Sequence, residues 1–147
     1  MSYQNQKRHG GKPKQERRSL GMIIRFTNDE GKIDADLFDK IASTAAKSVA
    51  RCKREQNKST QLRRFYDELV MWEEKVRQTP DKFDEYLPFI RMLKAKAAYA
   101  EGRKLVDGAF VDFLEQTINQ IDSAETLRTA KLFFEAFMGF YKLEKGD

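Results

Sequence analysis

Apolar residues along this 147-residue chain recur at helical spacing from Asp34 to the C-terminal end. Over about residues 34–55, Leu37, Phe38, Ile41, Ala45, Val49 and Cys52 fall within about 120° of a helical wheel at 100° per residue. Lys40, Lys47, Arg51 and Arg54 cluster within about 60° on the opposite side, which predicts a straight row of cations about 21 Å long. Asn57, Lys58 and Ser59 break the pattern, with Ser59 or Thr60 as cap of a second helix over about 60–78. Its core stripe is Leu62, Phe65, Tyr66, Leu69, Trp72 and Val76. Thr79-Pro80-Asp81 opens a short acidic turn, and Pro88 suits the first position of a third helix over about 88–104, ended near Gly102. That helix buries Phe89, Ile90, Leu93, Ala97 and Ala100, while Met92, Lys96, Tyr99 and Arg103 share an adjoining side. Gly108 precedes a fourth helix over about 109–121, and Asp122 or Ser123 caps a fifth over about 123–144. The fifth is apolar round most of its circumference between Leu127 and Leu143, which predicts burial in the core or against another chain.

The start of the chain reads differently. Residues 1–19 are polar and basic with almost nothing to bury, and read as a disordered arm whose removal should leave the fold intact. Gly21 to Phe26 is a short β-prone run, either an edge strand or an extended segment docked on the helices. No second strand accompanies it in the pattern, so a sheet is not expected. The fold class is therefore an all-α bundle of about five helices over residues 33–147, preceded by the arm and extended segment over 1–32. No apolar run approaches the ~20 residues a bilayer crossing needs, and the basic N-terminus lacks the apolar stretch of a secretory signal. A cytoplasmic protein without membrane contact is expected, and the lone Cys52 fits a reducing compartment.

Charge changes the picture because it comes in blocks. Residues 1–19 hold six Lys or Arg against Glu16, a net +5 that equals the charge of the whole chain. Within the neutral remainder, residues 44–64 carry +6, 65–90 carry −4, 91–104 carry +4 and 105–147 carry −4. Two basic blocks in a neutral body fit a surface that faces a polyanion, or blocks that neutralise one another inside the fold. Arg51, Arg54, Lys58, Arg63 and Arg64 come from the first block, and Lys94, Lys96 and Arg103 from the second. Arg63 and Arg64 sit in the first turn of a helix, where the backbone is itself partly positive. Pairing with Asp67 and Glu68, or a bound anion, would offset the repulsion. Lys96 and Arg103 bracket Tyr99, so that phosphates could lie on the cations with a base or ribose against the ring. The alternative places Tyr99 in the core with the cations snorkelling past it.

Catalytic chemistry finds little support. One histidine, His9, in a polar tail and one cysteine cannot supply a zinc site, a Cys–His pair or a Ser–His–Asp triad. The chain has no phosphate-binding glycine loop, and the acidic pairs Asp34/Asp36 and Asp84/Glu85 stand where helix starts normally carry acids. The sequence reads as a non-enzyme without cofactor or metal.

Three stretches together resemble a known family. Ser59-Thr60-Gln61-Leu62-Arg63 opens a helix; Leu93-Lys94-Ala95-Lys96-Ala97-Ala98-Tyr99-Ala100-Glu101-Gly102-Arg103 follows; and Phe134-Glu135-Ala136-Phe137-Met138-Gly139-Phe140-Tyr141-Lys142 closes the chain. In order and spacing, over about residues 57–144, they are similar to the small helical subunit of type III-A CRISPR–Cas interference complexes, the Csm complex. The resemblance implies a small all-α protein without catalytic activity, stacked in several copies beside the backbone subunits and capped by a polymerase-like large subunit. It implies contact with the guide and target RNA duplex, mainly the target-strand backbone, through Lys and Arg. Arg63, Lys94, Lys96 and Arg103 carry over from its motifs, whereas Arg51, Arg54, Lys58, Arg64 and Tyr99 come from the wheel and the charge blocks. A free-standing helical nucleic-acid-binding protein and a pure protein adaptor are the other two readings of the same residues.

Overall fold

The computed structural model describes residues 16–147. Six α-helical segments follow one another: α1 (Ala42–Ala50), α2 (Ser59–Gln78), α3 (Phe83–Arg91), α4 (Leu93–Gly102), α5 (Gly108–Asn119) and α6 (Ala124–Lys145). A π-helical turn, Leu37–Ile41, leads into α1, and a 3₁₀ turn, Pro80–Lys82, leads into α3. The expected five-helix all-α bundle is present, its third helix delivered as the two segments α3 and α4. Among the described residues there is no β-strand, and Thr27 and Ile33 form a single antiparallel bridge. No helix among them is long and apolar enough to cross a membrane.

Two boundaries depart from the sequence pattern for local reasons. Pro80, not Pro88, opens the helical run, because it needs no N–H partner at the start of the 3₁₀ turn. Pro88 therefore lies inside α3, and the run is interrupted at Met92 before α4 begins. The first helix ends at Ala50 and starts with a π turn, whose wider repeat rotates Lys40 out of line with Lys47. Arg51 and Arg54 lie in the loop beyond. The straight cation row is not formed.

α6 runs between α1 and α2, and α4 packs on α5. Leu127, Ala130, Phe133, Phe134, Phe137 and Tyr141 make one fully buried stripe along α6. Phe113 of α5 stacks on Phe137 at 4.1 Å and meets Phe134 edge-on at 5.3 Å. Leu132, Ala136, Met138 and Phe140 flank that stripe half-buried, and Leu143 is 81% exposed. So α6 is sunk into the core along one side and wetted toward its end.

A polar hub ties the loops of this bundle together. Asn57, between α1 and α2, is fully buried at a positive φ of 52°, which Asn tolerates better than most residues. Its N–H donates to the Leu105 carbonyl at 3.0 Å and its carbonyl accepts from the Tyr141 hydroxyl at 2.6 Å. Its Nδ2 donates to the Val49 carbonyl and to Asp107 Oδ1, and its Oδ1 accepts from the Asp107 N–H. Asp107 in turn caps α5 through Ala109 N–H and pairs with Arg18 Nε at 2.7 Å. Burial pushes the Tyr141 phenol well above its ordinary range, so the hub keeps a neutral donor there.

Residues 16–26 run as an extended strap across α5. Gln116 accepts the Ile24 N–H and donates to the Met22 carbonyl; Gln120 accepts the Phe26 N–H and donates to the Ile24 carbonyl. Asp112 takes the Leu20 N–H. One helical turn rises about 5.4 Å and two strand residues about 6.8 Å, so amides four apart on α5 match alternate residues of the strap. Leu20, Ile24 and Phe26 are buried beneath it, while Ile23 is 76% exposed. The extended segment thus docks on helices, with Leu20, Ile24 and Phe26 in the core and Met22 packed half-buried against it. A Cβ at Gly108 would collide with the Arg18 carbonyl, which is how the strap passes so close to the start of α5.

The disordered arm was expected over 1–19, and residues 1–15 lie outside the described residues. Its last part belongs to the body: Arg17 pairs with Glu101 at 2.7 Å, and Arg18 donates to the Ser48 and Val49 carbonyls that end α1. Removal of residues 1–19 therefore takes away structural partners that removal of 1–15 leaves. We expect the longer deletion to cost about 2–3 kcal/mol of stability by urea unfolding and the shorter one to leave the midpoint unchanged. Asn57→Ala strands several buried groups and strains the backbone. A loss of about 3–4 kcal/mol is expected, with Asn57→Gly about 1 kcal/mol milder because glycine accepts the same φ.

Candidate nucleic-acid interface

α4 exposes one side because Leu93, Ala97 and Ala100 are committed to the core. Lys96, Tyr99 and Arg103, on the adjoining side of the wheel, face out beside the first turns of α2. There they meet Gln61, Arg64 and Glu68 round a shallow open hollow of about 250 Å3. Tyr99 is 67% exposed and Arg103 lies over its ring, 5.9 Å from the centroid. Tyr99 is therefore a surface residue, which removes the reading that places it in the core.

The hollow is cationic with one internal acid. Glu68 accepts from Lys96 Nζ at 2.8 and 3.0 Å and from the Trp72 indole N–H at 3.3 Å. The sequence pattern had assigned Glu68 to Arg64 by i,i+4 spacing, and the neighbouring helix takes it instead. Among the described residues Arg64 and Arg103 have no carboxylate partner. The Lys96–Glu68 pair is exposed enough that such a bridge is worth at most about 1 kcal/mol.

The remaining sequence candidates lie elsewhere around this end of the bundle. Arg51, Arg54 and Lys58 sit in the α1–α2 loop, held next to the α4–α5 loop by the Asn57–Leu105 bond. Arg51 lines a hollow with Arg17, Arg18 and Lys53, and Arg54 and Lys58 line another with Lys145 and Asp147. Arg63 points round the other side of α2, 3.7 Å from Asp67, toward Tyr66 and Lys142. Lys94 is two residues from Lys96 and so faces the opposite flank of α4, donating to Asn119 Oδ1 at 2.6 Å. Four candidates thus share one hollow, four line three other hollows, and Lys94 is turned away.

The start of α2 is capped from a distance. Lys58 occupies the cap position without a side-chain bond, and Ser59 is the first helical residue. The Asp147 carboxylate accepts from the Ser59 N–H and hydroxyl, replacing the Ser59 or Thr60 cap expected from the sequence. Burial opposes ionisation of Asp147, but the Ser59 donors outweigh it and hold the carboxyl below its usual range. Among the described residues no group of His, Cys, Asp and Glu is arranged to hold a metal ion.

A family model described as Csm2 Type III-A matches residues 32–147. The chain belongs to this family. It is accordingly a small subunit of the type III-A CRISPR–Cas Csm complex, the family its own motifs resemble. The matched stretch contains all six helices of the described residues and leaves the strap before residue 32 outside. Comparisons with curated proteins and with solved structures found no match.

The flank carrying Arg63 contains a titratable marker. Burial, and then the hydrogen bond to Glu135, push the Tyr66 phenol up to about 12. Between about pH 10 and pH 12 the unfolded chain releases this proton and the folded chain keeps it. The contribution of Tyr66 is therefore complete below pH 10 and lost as pH rises through 12. Tyr66→Phe should flatten the decline in urea midpoint measured from pH 9.5 to 11.5 relative to the unchanged chain.

Proposed function

We propose that this Csm2-family chain is a non-catalytic subunit that lies along the guide–target RNA duplex and touches mainly the target-strand backbone. The observation that carries the reading is the meeting of Arg64, Lys96 and Arg103 around exposed Tyr99 in one open hollow. Sequence-independent binding of a duplex needs cations at phosphate spacing on a surface free of competing acids. Glu68 is the single acid in the hollow, and its exposed pair with Lys96 yields to a phosphate at little cost. Arg51, Arg54 and Lys58 extend the positive field beyond the hollow, and Arg63 broadens it round α2.

Several copies would stack along the complex beside its backbone subunits and polymerase-like large subunit. Support comes from the charge along α2, which spans about 30 Å. Arg54 and Lys58 stand at its start, and Asp81, Asp84 and Glu85 follow its end. Copies set end to end bring opposite signs together, the arrangement that favours a head-to-tail contact. A single copy spans few phosphates, so affinity arises from the row of copies. The site of action is the cytoplasm, where the transcripts are.

The test is charge reversal of Lys96 and Arg103 together in the assembled complex. Target binding at low salt is expected to fall at least about 100-fold, and its dependence on salt to weaken by about 1.4–1.8 in log–log slope. Circular dichroism should be unchanged because both side chains are exposed. Undiminished duplex binding by the correctly folded double variant would overturn the RNA-contact reading and favour a protein adaptor.

A further inference from the structure

Beyond the hollow, the same outer side of the α3–α4 run carries two more exposed residues, Met92 at 45% and Phe89 at 50%. Phe89, Met92, Lys96, Tyr99 and Arg103 follow each other at spacings of three and four across the break at Met92. Phe89 does not stand alone. Its ring stacks on Trp72 of α2, with centroids 5.7 Å apart and an interplanar angle of 18°. Trp72 is fixed from three directions: its N–H is donated to Glu68, Tyr86 leans on it at 5.6 Å, and Lys75 Nζ lies 5.4 Å over its ring. The result is a rigid aromatic stack with half of Phe89 left open to solvent. Lys75 lies over its Trp72 side, Glu68 beneath it is paired with Lys96, and the exposed Glu85 stands one turn before Phe89.

An exposed, preorganised aromatic face beside cations is what an unstacked base requires. We infer that Phe89, backed by Trp72, is a stacking platform for an unpaired nucleobase of the same RNA strand whose phosphates lie against Arg64, Lys96 and Arg103. The inference rests on the RNA-binding reading of the hollow. Phe89 is ten residues from Tyr99, about 15 Å along the helical run, so the two rings serve different nucleotides. Cations alone follow a backbone. A stack at a fixed offset from them makes the chain prefer a strand carrying a base pushed out of its helix there. The occupant is an uncharged π-face tethered to phosphate, which suits a surface where aromatic and cationic residues alternate.

The chain carries one tryptophan, so Trp72 reports on the platform without a label. The full chain is titrated at low salt with a single-stranded oligoribonucleotide, and with the same strand made abasic. Trp72 emission is read together with anisotropy of a dye on the RNA. The normal strand is expected to bind with quenching of Trp72, and the abasic strand to bind more weakly without it. Phe89→Leu and Phe89→Ala should keep their circular dichroism, lose the quenching and bind about 5- to 150-fold more weakly. Lys96→Glu with Arg103→Glu should abolish binding of both strands. Equal quenching by the abasic strand, or unchanged binding by both Phe89 variants, overturns the platform while leaving the hollow intact. A change in sedimentation of the RNA-free chain on Phe89→Leu identifies the patch as a protein interface and likewise overturns it. Binding that survives the double charge reversal defeats the underlying RNA reading as well.

Discussion

The bundle depends on the full satisfaction of Asn57. A buried polar residue in a left-handed conformation is costly unless every donor and acceptor finds a partner. Here the partners are four residues from three places in the sequence: Val49 at the end of α1, Leu105 and Asp107 before α5, and Tyr141 near the end of α6. Their joint demand fixes how the α1–α2 loop lies against the α4–α5 loop. That placement is what sets the start of α2 beside the end of α4, and with it Arg64 beside Arg103. The hub reaches the hollow through Leu105, which accepts from Asn57 and lines the hollow with its neighbours.

The strap solves a different problem with the same means. An extended segment laid on helices has no ladder of backbone partners, and its N–H and C=O groups would be buried unpaired. α5 supplies the ladder from side chains, with Asp112, Gln116 and Gln120 one turn apart acting as the neighbouring strand. This allows Leu20, Ile24 and Phe26 to enter the core without a sheet. It also shows why Gly108 is glycine, since the strap passes directly over the first turn of α5.

Much of this was legible in the sequence, and the misses share a cause. Helical periodicity located the α2, α5 and α6 stripes because each buries one continuous side, and the Leu62–Val76 stripe is core apart from the half-buried Tyr66 and Trp72. Periodicity failed where the backbone departs from 100° per residue, at the π turn before α1 and at the Met92 break, and the all-round apolar reading of α6 missed its half-buried flank and exposed Leu143. It also failed where long-range partners decide. Nothing local distinguishes Arg18, bound to Asp107 and the α1 carbonyls, from the other cations of the arm. Asn57 read as a loop residue, and its burial depends on residues fifty and more positions away. In the candidate interface, the side of α4 carrying Lys96, Tyr99 and Arg103 was visible on the wheel. Its facing of Arg64 across to α2, and the capture of Glu68 by Lys96, are tertiary facts.

The separation of structural from available cations completes the argument about charge. The basic blocks of the sequence mix both kinds, so block totals alone cannot locate a polyanion surface. In the fold, Arg18 is drawn inward to acid and carbonyl partners, and Lys145 spends its ammonium on Cys52, Arg54 and Gln56. Lys94 is spent on Asn119. Those charges hold loops and helices together, and their field outside is reduced by the dipoles that bind them. Arg64 and Arg103 are exposed without a carboxylate partner among the described residues, Arg103 lying over the Tyr99 ring, and Lys96 has one carboxylate, Glu68. Solvated arginines fixed on rigid helices lose little when they exchange water for phosphate, because the helices have already ordered them and a planar guanidinium keeps its hydrogen bonds in the exchange. The cations that the fold leaves unpaired, Arg64 and Arg103 among them, are the ones still available to an anionic partner.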